Sequence, residues 1–213
     1  MKEIVERIPD LKEHRLISQK RVAILTGAKR EFLAHGYAAT SVDRIAARAG
    51  VSKSTLYSHF KDKEALFSAL IQQIAQDKLR SITESAILDR PLRPDLALRQ
   101  IAQTMVGAIT EAEGEMVQFM RVLLGEAGRF PELAKLMVEN LEKPGFAMIS
   151  HFLASYPELN IVDPEATARV FVGSLVHFVL IQEGMYGKEI IPMPMERLID
   201  CLVSLIVPFS PQT

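Results

Sequence analysis

The stretch FLAHGYAATSVDRIAARAGVSKSTLYSHFKDKEALF, from Phe32 to Phe67, decides the fold. It holds two short helical runs. One follows Thr40-Ser41 with Ile45, Ala46 and Ala49 apolar, and the other follows Ser52 and runs to about Phe60. A Ser or Thr ahead of an apolar run accepts the free N–H groups of a helix start, and a glycine such as Gly50 closes a helix. Gly50-Val51-Ser52 is then a tight turn, and the pair reads as a helix-turn-helix. Ala46, Ala49 and Gly50 are small where the two helices are expected to approach closely. Val51, Leu56 and Phe60 give the second helix its apolar side. At about 100° per residue, with Leu56 inward, Ser54 and Ser58 face out and Thr55 and Tyr57 flank them. A helix with small outward residues fits the DNA major groove, and Lys53 at its start can reach a base edge or a phosphate.

Upstream, a first helix is predicted from about Ser18 to His35, with Leu25, Ala28 and Phe32 on one side and Gly36 as its stop. Downstream, a long helix starts after Lys61-Asp62, with Leu66, Phe67, Leu70, Ile71, Ile74 and Leu79 in register. The charge is uneven. Residues 14–63 carry ten basic and three acidic side chains, net +7, while the rest of the 213-residue chain carries fifteen basic and twenty-three acidic, net −8. A basic segment on an acidic chain suits a polyanionic partner for that segment, or simply an unevenly charged surface.

Residues 1–17 form a charged extension, read either as a short helix around Ile4, Val5 and Ile8 or as a mobile segment, without the apolar stretch of a signal peptide. Arg90-Pro-Leu-Arg-Pro94 marks a loop. Helices are then expected at about 95–112, 114–127, 131–155, 163–185 and 194–207, with prolines at the gaps. The whole reads as all-α, about nine helices. With 48% apolar residues the chain can bury a sizeable core. Its one cysteine, Cys201, forms no intramolecular disulfide, which fits a reducing, cytoplasmic setting. The apolar run 170–181 reads as a buried helix, too short to span a bilayer.

The segment from Ser18 to Leu79 resembles the tetracycline-repressor (TetR) family of regulators. The matching residues are Phe32, Gly36, Thr40-Ser41, Ile45-Ala46, Ala49-Gly50-Val51-Ser52, Thr55-Leu56-Tyr57, His59-Phe60, Lys63-Glu64 and Leu66-Phe67. The resemblance implies that the third helix reads the major groove. Tyr57 and Lys63 match phosphate-gripping positions, and Lys53, Ser54 and Thr55 match positions near bases. Thr40 and Ser41 match a phosphate-holding helix start. Ser52, Arg44 and His59 complete the candidate DNA-binding set. Tyr57 and His59 could instead pack, and Arg44 and Arg48 could be solvated. Ser54 departs from the family's frequent glycine or proline, and Arg44 from its frequent acid. The implied organisation is an extension over 1–17, a DNA-binding domain over 18–78 with a connector to about 88, and an effector-binding and dimerisation domain over 95–213.

The stretch Phe119 to Leu133 resembles the AefR-type subgroup, which implies a helical ligand-binding domain. Candidate pocket residues are Met105, Met116, Phe119, Met120, Leu123, Phe146, Ile149, Phe152, Phe171, His177 and Phe178, with ordinary core as the alternative for each. His151 and His177, lone histidines on apolar stretches, are expected to be buried and hydrogen-bonded. No metal-ligand spacing, nucleophile motif or phosphate-binding glycine loop is present, so no metal, cofactor or enzymatic activity is expected. The segments 166–183 and 194–207 are the expected dimer interface, through Val172, Leu175, Val179, Leu198, Leu202 and Leu205, unless both are internal to one subunit.

These readings imply a homodimeric repressor that binds double-stranded operator DNA and is released by a largely apolar small molecule. The connector helix is expected to carry the signal. The alternative is an activator or an effector-independent DNA-binding protein. An enzyme built on the helical domain is the rival from another class, and it would need a catalytic constellation that the chain does not display.

Overall fold

The computed structural model describes residues 7–84, 93–110 and 114–207. Helices α1 (Arg7–Ala39), α2 (Val42–Ala49), α3 (Lys53–His59) and α4 (Lys63–Glu84) come first. They are followed by α5 (Pro94–Thr110), α6 (Glu115–Glu126), α7 (Pro131–Met137), α8 (Lys143–Ala154), α9 (Pro164–Val179) and α10 (Met195–Ile206). A π-helical turn, Val138–Glu142, joins α7 to α8 without a break, so the predicted helix 131–155 is one continuous run. Counted that way, the described residues form nine α-helices and no strand. The π turn has a local cause. Pro144 lacks an N–H and crowds the preceding turn of a regular helix, and the widened turn sits just before it, with the Lys143 N–H donating back to the Val138 carbonyl.

Two differences from expectation concern α1. It begins at Arg7 rather than near Ser18, so the first helix takes in part of the extension. Its axis breaks at Gly36 (φ 75°, ψ 171°), a backbone conformation that favours glycine, and one more turn follows to Ala39. The predicted loop falls mostly outside the described residues, as does the connector beyond Glu84.

Two apolar cores organise the chain. The first joins α1 to α4 with residues from α6 and α7: Met116, Phe119, Leu123, Leu133 and Met137. At its centre Phe67 meets Phe32 edge-on at 5.0 Å and stacks on Phe119 at 5.5 Å. Tyr37 packs against Phe32, Phe67 and Phe130. Each such aromatic pair adds about 0.5–1.5 kcal/mol beyond its area burial. The second core lies among α5, α8, α9 and α10.

The second core corrects the expected interface. Leu175 and Val179 are sealed inside it, Val172 and Leu202 are buried, and Leu198 packs against it half-buried. Only Leu205 stands out, 75% exposed. The exposed face of α9 is instead a stripe at helical spacing: Ala166, Val170, Gly173 and His177. The bulky side chains of these helices went to their own subunit's core. His151 and His177 are exposed rather than buried. Helix α9 with its π turn, Pro164–Gly184, is 21 residues with mean hydropathy 1.3, long and apolar enough by composition to cross a membrane. The expected run was shorter because it stopped at the edges of strict apolarity. Within this fold, Ala168, Phe171, Leu175 and Val179 of that helix are buried in the second core.

Candidate nucleic-acid interface and ligand cavity

Both short helices are capped as the sequence predicts. Ser41 Oγ accepts from the Arg44 N–H at 3.3 Å, and Ser52 Oγ from the Thr55 N–H at 3.1 Å. Gly50 turns left-handed (φ 66°), which lets its own N–H and that of Val51 return to the carbonyls at the end of α2. The small residues of α2 serve a different contact from the one expected. A Cβ on Gly27 would lie 3.2 Å from the Ala49 nitrogen and 3.3 Å from its Cβ, so the close approach is between α1 and α2.

On α3 the inward and outward faces fall where helical periodicity put them. Leu56 is fully buried and Phe60 nearly so; sealing a leucine contributes about 1.5–3 kcal/mol. Lys53, Ser54, Tyr57 and Ser58 are exposed, and Thr55 and His59 half-buried. The hydroxyls at the helix start form a cluster, with Ser52 Oγ 2.9 Å from Ser54 Oγ and 2.8 Å from Thr55 Oγ1. The Lys53 ammonium lies 2.8 Å from the Asp43 carboxylate, a hydrogen bond that raises its pKa above the ordinary lysine value. This exposed pair ties the start of α3 to the start of α2.

Several basic residues are committed within the protein. Lys29 pairs with Glu115 of α6, and Arg48 with the buried Glu31. The Arg44 guanidinium donates to the Ala39 carbonyl, and Arg21 lies over the Phe60 ring. Two expected phosphate ligands already have partners inside the protein. Thr40 is buried, its hydroxyl donating to the carbonyls of Gly36 and Glu31 at 2.7 and 3.0 Å. Lys63 donates to the carbonyls of Tyr37, Ala38 and Thr40 at 2.8, 3.3 and 3.1 Å, closing the end of α1, and its ammonium lies over the Tyr37 ring. Burial lowers its pKa, and the nearby Glu126 carboxylate opposes that. A signal for this role was present in the sequence: a lysine at the first position of a helix opposes the helix dipole unless something else holds it. Glu126 of α6 accepts the Ala38 N–H at 3.0 Å, so the last turn of α1 is gripped from α4 and from α6.

In the second half, α4, α5, α6, the π turn, α8 and α9 enclose a cavity of about 730 Å³, part of it open to solvent. Of the expected pocket residues, Met105, Met116, Met120, Phe146 and Ile149 line it. Phe119 and Leu123 belong to the first core, and Phe152 and Phe171 to the second. His177 is exposed, and Phe178 lines a separate surface pocket near Met193. Val172, expected in the interface, lines the cavity. Missed were Lys78 and Leu79 on α4, Met137, and Leu141-Glu142 on the π turn, since a one-dimensional pattern does not show which side chains border a gap.

With this geometry in place, the comparisons are specific. Residues 24–70 match the family described as bacterial regulatory proteins of the tetR family. Residues 96–205, half of the chain, match the AefR-like transcriptional repressor C-terminal domain. The chain belongs to the TetR family. Among its relatives, the repressor AcnR of Corynebacterium diphtheriae is 31% identical over 115 residues, 50% of this chain and 60% of AcnR. The uncharacterized regulator YdgC of Bacillus subtilis is 26% identical over 183 residues, 76% of this chain and 93% of YdgC. Among solved structures, the flavonoid-responsive regulator FrrA superposes with a TM-score of 0.66 at 27% identity, covering 89% of this chain and 95% of FrrA. In this TetR-family regulator the matched N-terminal segment contains the capped α2–α3 pair, and the matched C-terminal segment contains most of the cavity wall.

Proposed function

We propose that the protein is a homodimeric transcriptional repressor that places one α3 from each subunit in successive major grooves of an operator and is released by a small, largely apolar effector. The observation that carries the reading is α3 itself. Lys53, Ser54, Tyr57 and Ser58 form an exposed polar face on a helix anchored from behind by Leu56 and Phe60. Lys53, Ser54 and Thr55 face bases, while Tyr57, His59, Ser41, Ser52 and the Arg44 donors not used on the Ala39 carbonyl hold the backbone. Thr40 and Lys63 shape this surface from below.

The dimer forms through the exposed stripe of α9 and through Leu205 with Cys201 on α10, two helices from each subunit. The effector occupies the cavity. Movement reaches the reader by two routes, through α4, which carries Lys78, Leu79 and Lys63, and through α6, which carries Met116, Met120 and Glu126. The effector favours the state that does not bind DNA, and DNA weakens effector binding by the same factor. The DNA-binding domain runs over 18–78 and the effector-binding and dimerisation domain over 95–213. Family membership and the repressor relative support the DNA-binding role, and the responsiveness of FrrA supports an effector.

A binding-site selection with the wild type, Tyr57→Ala, Lys53→Ala and Ser54→Ala tests this. Tyr57→Ala should weaken binding to all sequences about equally. Lys53→Ala and Ser54→Ala should shift base preference, by roughly 1–3 kcal/mol at one position of the site. Wild-type binding by all three variants would remove α3 as the reader.

A further inference from the structure

The cavity wall is apolar, with Met105, Met116, Met120, Leu141, Ile149 and Val176 prominent, and it contains two ionisable side chains. Lys78 is committed, its ammonium donating to the Ala108 carbonyl. Glu142 is not. Its carboxylate makes neither a hydrogen bond nor an ion pair with any described residue. Burial alone raises its pKa above the ordinary carboxylate value, and no neighbouring charge contributes.

Glu142 sits at a junction. It ends the π turn, and with Phe146 it also lines an outer groove between α8 and the start of α9. In that groove Arg169 is paired with Glu165 at 2.8 Å and lies over the Phe146 ring at 4.9 Å. Asp163 caps α9 through the Ala166 N–H, and Lys143 and the exposed His151 are the remaining basic side chains. The groove thus carries three acids against two permanent cations and one imidazole. An anionic head group would approach an unpaired carboxylate at the junction, whereas a cation would supply the partner it lacks.

We propose that the effector is an amphiphilic amine, its apolar body filling the cavity and its protonated nitrogen held by the Glu142 carboxylate. This rests on the reading of the cavity as the effector site. A carboxylate facing apolar walls is unfavourable until paired. A ligand with a matched cation relieves that penalty, and a neutral ligand of the same shape leaves it in place.

The test uses the purified full chain with decylamine, decan-1-ol and decanoate at pH 7, below their aggregation concentrations, by isothermal titration calorimetry. Two variants accompany the wild type. Glu142→Gln removes the charge. Gly145→Phe blocks the cavity, since Gly145 lines it and a Cβ there meets no atom within 4 Å. Decylamine should bind the wild type at least about tenfold more tightly than decan-1-ol, the scale of one charge-assisted hydrogen bond. Glu142→Gln should erase that preference and leave the alcohol unchanged, and Gly145→Phe should weaken both. Equal binding of amine and alcohol, both lost in Gly145→Phe, keeps the cavity and overturns the amine. Tightest binding of decanoate does the same. Affinities unchanged by Gly145→Phe, or no binding by any of the three compounds, overturn the cavity reading and the amine with it.

Discussion

Lys63→Met separates two roles for one side chain. The substitution keeps the aliphatic stem and removes the ammonium that closes α1. Three carbonyls then lose their donor, those of Tyr37 at 2.8 Å, Ala38 at 3.3 Å and Thr40 at 3.1 Å. Tyr37 and Thr40 are buried residues. An acceptor left without a partner costs about 1–3 kcal/mol when buried. Losing a cation at a helix C-terminus costs about 0.3–1 kcal/mol more. The 3.3 Å bond is weak and the site is partly solvated, so the sum should fall at about 2–3 kcal/mol. For a chain of this size that is a drop of roughly 4–12 °C in Tm. Urea and thermal denaturation followed by circular dichroism measure it, alongside operator affinity at a temperature where the variant is folded. A change under about 0.5 kcal/mol together with uniformly weaker DNA binding would show that the ammonium is free to hold phosphate and that α1 closes without it.

Two further perturbations follow from the packing. Leu205→Arg places its charge on the exposed side of α10 and should yield a folded monomer by light scattering, whereas Leu202→Arg should unfold the C-terminal half; a folded dimer from Leu205→Arg would remove that face from the interface. Burial raises the Glu142 pKa in the fold, so its contribution to stability is present below its unfolded pKa and is lost as pH rises through the folded value. Glu142→Gln should therefore gain stability over the wild type with rising pH across that window, read from paired urea titrations, and a pH-independent difference would refute the burial.

The capped α2–α3 pair was legible because its signals are local. Ser41, Gly50 and Ser52 each act within four residues, and the Leu56–Phe60 spacing fixes the face of α3 without reference to anything distant. The rest depended on what lies across from each residue. Val172, Leu175 and Val179 look alike in sequence to any apolar residue that meets another subunit, and only the packing of α9 on α5 and α8 places them inside. Phe119 and Phe171 were plausible pocket residues by type, yet aromatic rings filled the cores and methionines bordered the gap. Glu142 was overlooked as one acid within a predicted helix, although Pro144 two residues later was the cue that the helix could not stay regular there.

The stacking of Phe119 on Phe67 has a bearing on how such a protein can change over time. The ring that completes the core around α1–α4 is contributed by α6 of the C-terminal half, as are Met116 and Leu123, while α7 adds Leu133 and Met137. A fragment ending after α4 would leave that core open to water on one side, so the reader is not a detachable module. Exchanging the C-terminal half for another would require the newcomer to bring a matching aromatic and its neighbours. Helix α6 therefore has little free surface: Met116 and Met120 line the cavity, yet both also pack on the core of the α1–α4 unit.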